Sequence, residues 1–129
     1  MAKPKAKKQS AADKLALAKK HLAKVQTAWD EPTDWDNLSL YGFFCLEAAV
    51  DAAALHLKMK TSTKHWEKVQ LAEIIHEKHG LPDVSGLLVE LNNARKAVSY
   101  GDIEAPDMDA EELSQEIEAY VEAVAALLS

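Results

Sequence analysis

The only arginine of the chain is the residue whose type and position point most directly to chemistry. Fourteen of the fifteen basic residues are lysines, and Arg95 lies where a predicted helix ends, in the segment ARKAVSYGD of residues 94–102. A guanidinium group is planar, permanently charged and able to hold a phosphate or carboxylate through two parallel hydrogen bonds, whereas a lysine ammonium is a flexible point charge. The lysine-rich background therefore favours a role for Arg95 in binding an anion.

An ion pair inside the protein is the equally weighted alternative for Arg95. Glu47 and Asp51 lie one turn apart on a predicted helix, where either carboxylate could hold the guanidinium. The two interpretations are compatible, because such a pair could also orient the guanidinium toward a ligand. Both stay open from the sequence.

Two other chemistries have little support in the sequence. Glu73 and His76 have the Glu-x-x-His spacing of metal-binding helical bundles, but a di-iron site needs this motif twice and it occurs once. Cys45 lies in an apolar stretch, where a thiol is more often a small buried hydrophobe than a nucleophile. We therefore expect no metal site, no cofactor and no internal disulfide.

The composition predicts an all-α protein with one core. The chain has 129 residues, enough for one domain, and 48% of them are apolar. It has only four glycines and four prolines, and it lacks the alternating β-branched runs that strands require. We expect a single helical-bundle domain over residues 10–129, preceded by a basic, disordered tail over residues 1–9.

The charge of the chain is unevenly distributed. Residues 1–9 hold four lysines and no acid, while the chain after Lys96 holds nine acidic residues and no basic one. Without the tail lysines, the formal net charge of −6 becomes −10, so any contact with nucleic acid has to be local. The N-terminus lacks the apolar stretch of a signal peptide, and Glu47 and Asp51 interrupt the most apolar run. We expect a cytoplasmic protein without a membrane span.

Five helices follow from the apolar periodicity and the capping residues. Ser10 and Asp13 form a capping signal, and proline and acids break the chain near 29–36. Residues 61–63 resemble a second cap, Gly80 predicts the end of the third helix, and Asp109 predicts the start of the fifth. The three tryptophans are expected to be core or interface anchors. The predicted helices span about 11–28, 36–60, 64–79, 84–99 and 110–128.

The chain resembles the HEPN superfamily of small helical-bundle proteins in three features. These are the long second helix, the segment TKHWEKV (residues 63–69) that opens the third helix, and the segment ARKAVSYGD that ends the fourth. The resemblance spans roughly residues 36–125. It implies an up-and-down bundle of four to five helices that pairs as a homodimer. It also implies one of three activities: a metal-independent endoribonuclease of toxin-antitoxin or defence systems, a non-catalytic binder of RNA or nucleotides, or a partner of a minimal nucleotidyltransferase.

Active HEPN members use an arginine followed four to six residues later by a histidine, and this chain matches only the arginine. Arg95 and Lys96 correspond to the motif, while Tyr100 stands at the histidine position and no histidine follows it. A tyrosine with its ordinary pKa of about 10 is a poor general base at neutral pH. On an ideal helix Tyr100 also lies about 140° away from Arg95. The two could meet only if the last turn unwinds or if two copies converge across a twofold axis.

The resemblance therefore predicts a binding protein rather than a fast enzyme. We expect RNA or a phosphate-bearing ligand at a dimer-interface site. If any cleavage survives, Arg95 and Tyr100 are the expected catalytic residues. The expected ligand-binding residues are Arg95, Lys96, Tyr100, His65 and Glu47.

Overall fold

The computed structural model describes residues 9–101 and 106–129, which form five α-helices. No strand occurs in this described part of the chain, which confirms the all-α prediction. The predicted basic tail falls almost entirely on residues 1–8, which lie outside the described residues. The helices are α1 (Ala11–Ala28), α2 (Trp35–His56), α3 (His65–His79), α4 (Ser85–Ser99) and α5 (Ala110–Leu128).

Side-chain caps fix the starts of three helices. The predicted capping box at α1 is present, since Ser10 Oγ accepts from the Asp13 backbone N–H and the Asp13 carboxylate accepts from the Ser10 N–H. Asp34 caps α2 by accepting from the Asn37 N–H, and Asp109 caps α5 in the same way. Each cap satisfies an amide that has no partner within its helix.

The second helix ends four residues before the predicted Lys60. Lys58 adopts the left-handed conformation with φ 58°, and the Met59 N–H donates to the Ala54 carbonyl at 2.8 Å. This bond closes the helix end as in a Schellman motif, where the left-handed residue is usually glycine. Because a lysine occupies that position here, the sequence carries no stop signal and the prediction of a longer helix was wrong.

The third helix has no side-chain cap, contrary to the prediction from residues 61–63. Lys64 is the N-cap. The Ser62 hydroxyl accepts a hydrogen bond from the backbone N–H of Lys64, one residue before the helix begins. The end of α3 is as predicted, since Gly80 adopts the left-handed conformation at φ 74°. This start places His65 at the first helical position, beside α2.

Helix α2 lies at the centre of the bundle and packs against each of the other four helices. Its small residues at positions 48, 49 and 52–54 are buried and let the neighbouring helices approach closely. Trp29 and Trp35 pack against the core as expected. Trp66, expected to be a core or interface anchor, is exposed, as are Phe44 and Ile74.

By length and composition α2 could cross a membrane, although the sequence predicted that Glu47 and Asp51 exclude a span. Of the apolar window concerned, 78% is buried inside the bundle. The central helix of a bundle is apolar all round for the same reason as a membrane helix, because both lack contact with water. The apolar composition is therefore accounted for by packing.

Candidate functional site

Two of the five predicted ligand-binding residues, Arg95 and His65, lie against the ring of Phe43 on α2, and a third, Glu47, contacts His65. The Arg95 guanidinium carbon lies 4.8 Å from the centre of this ring, and the His65 imidazole lies 5.0 Å from it in an edge-on arrangement. Phe43 is almost fully buried, so both groups rest on a rigid support. The face of an aromatic ring attracts a cation, which holds the guanidinium there without neutralising it.

Arg95 forms no ion pair with any acidic residue in the described part of the chain. Its Nε atom is buried and has no hydrogen-bond partner among these residues. The alternative in which Glu47 or Asp51 holds Arg95 is therefore wrong. A buried donor without a partner is unusual and costly, and at Arg95 it accompanies a charge that no carboxylate of the described residues balances.

The two carboxylates of α2 are paired with cations from α1 and α3 instead. Glu47 Oε2 accepts from His65 Nδ1 at 2.7 Å, and the ammonium of Lys68 lies 3.2 Å from Asp51 and 3.9 Å from Glu47. Lys14 of α1 reaches Asp51 at 3.7 Å. Most of this network is shielded from water, since the Asp51, Glu47 and Lys68 side chains are 6%, 11% and 13% exposed. Buried charges of this kind are tolerated only when they are paired.

A cavity of about 230 Å³ opens between α3 and α4 next to this cluster. Phe43 and His65 form part of its wall, Trp66 is 59% exposed beside them, and Asn92 and Asn93 supply amides from α4. Asn92 lies one helical turn before Arg95, and its Oδ1 atom is buried without a hydrogen-bond partner in the described residues. The cavity thus combines apolar walls with uncommitted polar groups, as ligand sites commonly do.

Lys96 and Tyr100 do not join the cluster within one chain. Helix α4 continues regularly to Ser99, and the Tyr100 N–H still donates to the Lys96 carbonyl at 3.0 Å. The unwound last turn that could have brought Tyr100 to Arg95 is therefore absent. Tyr100 is 77% exposed, and Lys96 is exposed on the next position after Arg95.

Sequence reasoning missed the asparagines and Lys68, and it predicted Trp66 to be a core or interface anchor rather than part of a ligand site. Asn92 and Asn93 carry a weak signal that could have been used, since Asn92 precedes Arg95 by one turn on a face otherwise occupied by leucines and alanines. Lys68 has no such signal. Nothing in the sequence separates Lys68 from the other thirteen lysines, because its role depends on the helix that packs beside it.

The remaining candidates for chemistry do not form sites in the described part of the chain. No group of three or more histidine, cysteine or acidic residues that could hold a metal occurs there. His76 Nδ1 bonds to the Leu81 carbonyl at 2.7 Å, as expected for a histidine near a helix end. The Cys45 thiol is buried and donates to the Ala18 carbonyl, and burial raises its pKa to about 12. A thiol held in its protonated form is a poor nucleophile.

Comparisons of the chain with protein-family models, with curated proteins and with solved structures give no match. The HEPN resemblance thus stays a prediction from residues 36–125. The candidate site stands on its own geometry: an unpaired guanidinium, a carboxylate-bound imidazole and an open cavity.

Proposed function

We propose that this chain is a HEPN-like binding protein that takes up RNA or another phosphate-bearing ligand at Arg95. The observation that carries the proposal is the guanidinium itself, which rests on Phe43 without a carboxylate partner in the described residues. An anionic ligand would supply the missing charge. Charge-assisted hydrogen bonds to such a ligand contribute about 1.5–3 kcal/mol each.

The α3–α4 cavity supports a ligand larger than a free anion, because Phe43 both lines the cavity and carries the Arg95 guanidinium. Trp66 offers an exposed aromatic face and Asn92 an amide, which are the groups that proteins use to stack and hydrogen-bond unpaired bases. A single-stranded segment would place its phosphate at Arg95 and an adjacent base in the cavity. The strongly acidic remainder of the chain favours this local mode over binding across a broad surface.

Fluorescence anisotropy with a short single-stranded RNA tests the proposal. Arg95→Ala should weaken binding at least about tenfold, because it removes one or more charge-assisted hydrogen bonds. Arg95→Lys should recover only part of the affinity, since lysine restores the charge and not the planar fork. Lys19→Ala, at an exposed position on α1, is the matched control and should bind as the wild type does. Equal affinities for wild type and Arg95→Ala would refute the proposal.

Pairing of two copies is part of the proposal, because Tyr100 cannot reach Arg95 along a regular α4. A twofold axis near the end of α4 would bring the two sets of Arg95 and Tyr100 together, with an anion between the guanidinium groups reducing their repulsion. If such a dimer retains weak endoribonuclease activity, a gel of the binding samples would reveal RNA fragments that vanish in Arg95→Ala. Sedimentation at several concentrations tests the pairing separately.

A second candidate is an interaction subunit, favoured by an acidic surface formed by residues of α4, of α5 and of the segment just before α5. Five carboxylates line a cavity of about 230 Å³ there: Glu90, Asp107, Asp109, Glu112 and Glu116. This surface would suit a basic partner protein such as a nucleotidyltransferase, to which the exposed Tyr100 would be accessible. This candidate would be favoured if RNA bound neither the wild type nor Arg95→Ala, while the variant still bound such a partner as the wild type does.

A further inference from the structure

We infer that His65 is a second, proton-dependent cationic group of the anion site, so that the ligand is bound together with a proton. The inference rests on the proposed function, because it concerns the same ligand. Its basis is the contact between His65 and Glu47 and the position of His65 on the ring that also supports Arg95. The consequence is an affinity that rises as the pH falls.

The hydrogen bond to Glu47 decides which imidazole nitrogen takes up the proton. A carboxylate can only accept, so the hydrogen of the 2.7 Å contact belongs to His65 Nδ1. In the neutral imidazole the other nitrogen, Nε2, then carries the free lone pair. Nε2 makes no hydrogen bond in the described part of the chain, and the side chain is 46% exposed where it lines the α3–α4 cavity. Nε2 is therefore the atom that gains a proton, and Glu47 is the residue that positions it.

The charges around His65 come from each helix packed beside it. Helix α2 contributes Glu47 in direct contact, and Asp51 one turn further on. Helix α3 contributes Lys68, whose ammonium lies 3.9 Å from the carboxylate that binds His65. Helix α4 contributes the Arg95 guanidinium on the shared ring. Helix α1 reaches the network only through Lys14 at Asp51.

The imidazole thus has one carboxylate in direct contact and two cations nearby, Lys68 and Arg95. The imidazole and the guanidinium each lie within 5.0 Å of the centre of the Phe43 ring, and the proposal places the phosphate of the ligand where it can contact both groups. The phosphate would favour protonation of His65, and by thermodynamic reciprocity a protonated His65 would favour the phosphate by the same factor.

The pH dependence of binding tests the inference with an RNA oligonucleotide that has no terminal phosphate, because internal phosphodiesters do not titrate near neutral pH. We expect the affinity of the wild type to rise as the pH is lowered from about 8.5 to 5.5, the range in which histidines change charge. One linked proton allows at most about a tenfold change per pH unit. His65→Gln, which keeps a polar side chain at this exposed position, should make the affinity nearly independent of pH.

His76→Gln is the matched control, because His76 lies on the same helix but its Nδ1 bonds to a backbone carbonyl. This variant should retain the full pH dependence of the wild type. Calorimetry in buffers of different ionisation enthalpy counts the protons directly: the wild type should take up a fraction of one proton near neutral pH, and His65→Gln close to none. Glu47→Gln should shift the pH at which affinity changes without abolishing Arg95-dependent binding.

The outcomes separate this inference from the proposed function. RNA binding that depends on Arg95 and is the same at every pH would overturn the proton-coupled role of His65 and leave the anion site standing. A pH dependence that persists unchanged in His65→Gln would also overturn it. Absence of RNA binding at any pH would refute the proposed function, and this inference with it.

Discussion

The charged side chains on the two sides of Phe43 differ in whether they have partners of opposite charge. On the α2–α3 side, Glu47 and Asp51 are matched by Lys68, His65 and Lys14 at distances of 2.7 to 3.9 Å. On the α4 side, the Arg95 guanidinium rests on the Phe43 ring. In the first region each carboxylate has a basic partner, although Asp51 Oδ1 is buried without a hydrogen bond and His65 has a partner at Nδ1 alone among the described residues. The second region lacks a counter-charge within the described part of the chain.

This difference indicates that the ion-pair network of Glu47 and Asp51 supports the fold, while Arg95 is open to a ligand. A paired buried network is costly to break, because a remaining charge is left in a low dielectric. An unpaired guanidinium contributes little to stability and is available for an external anion. Arg95 was the correct residue to select from the sequence, but the reason for its availability is that other cations already occupy both carboxylates.

The largest effect is expected for Lys68→Met, which removes the cation shared by Glu47 and Asp51 while keeping most of the aliphatic length. Leaving two poorly exposed carboxylates without it should lower the free energy of unfolding by about 3 kcal/mol. Chemical denaturation followed by circular dichroism measures the loss. The matched control is Lys78→Met, at an exposed position on the same helix, which should stay within about 0.5 kcal/mol of the wild type.

The comparison would break if Arg95→Ala were as destabilising as Lys68→Met. Because Arg95 forms no ion pair in the described residues, we expect its loss to cost only about 1 kcal/mol, from the cation–π contact and the packing of its stem. A cost of about 3 kcal/mol would mean that Arg95 is a structural residue.

An intermediate effect is expected for Phe43→Leu, which removes the support common to both regions and no charge. Lost burial and a residual cavity should lower the free energy of unfolding by about 1–2 kcal/mol. RNA affinity should also fall, since Arg95 and His65 lose their shared ring. Phe44→Leu is the control: its ring is 37% exposed and contacts neither of those groups, so the affinity should not change. Equal RNA affinities of wild type and Phe43→Leu would argue against the ring as a positioning element.

The smallest effect is expected for His21, which packs on a phenylalanine of α2 as His65 does. His21 contacts Phe44 and Tyr41, and no ion pair in the described residues joins it to an acid, unlike His65. Burial, and secondarily the charge of Lys20, lower the pKa of His21. The unfolded chain therefore binds this proton first, so the contribution of His21 to stability is full above about pH 6.5 and declines as the pH falls below it.

His21→Gln should flatten this decline, and denaturation midpoints measured at several pH values will test it. His79→Gln, at the exposed end of α3, is the control and should leave the profile unchanged. A decline that is identical in wild type and His21→Gln would assign it to other groups.

The helices could be predicted where the chain carries its own start and stop signals. Ser10, Asp109 and Gly80 specify helix ends through local hydrogen bonds or backbone freedom, and all three act as predicted. The two errors, at the end of α2 and at the start of α3, occurred where the residue types do not determine the backbone conformation or the hydrogen bond. Lys58 takes a conformation that glycine usually adopts, and Ser62 uses its hydroxyl one residue before the helix instead of capping it.

The amino-acid sequence by itself determined the all-α class, the caps that begin α1 and α5, and the choice of Arg95, because each depends on residue types and short-range spacing. Only the tertiary structure decided which cation meets which carboxylate and that Trp66 borders a cavity. It also decided that Arg95 and His65, thirty residues apart, share one ring. Those contacts join four helices across the bundle, and their partners are selected by the packing of α1, α3 and α4 around α2, which no local pattern specifies.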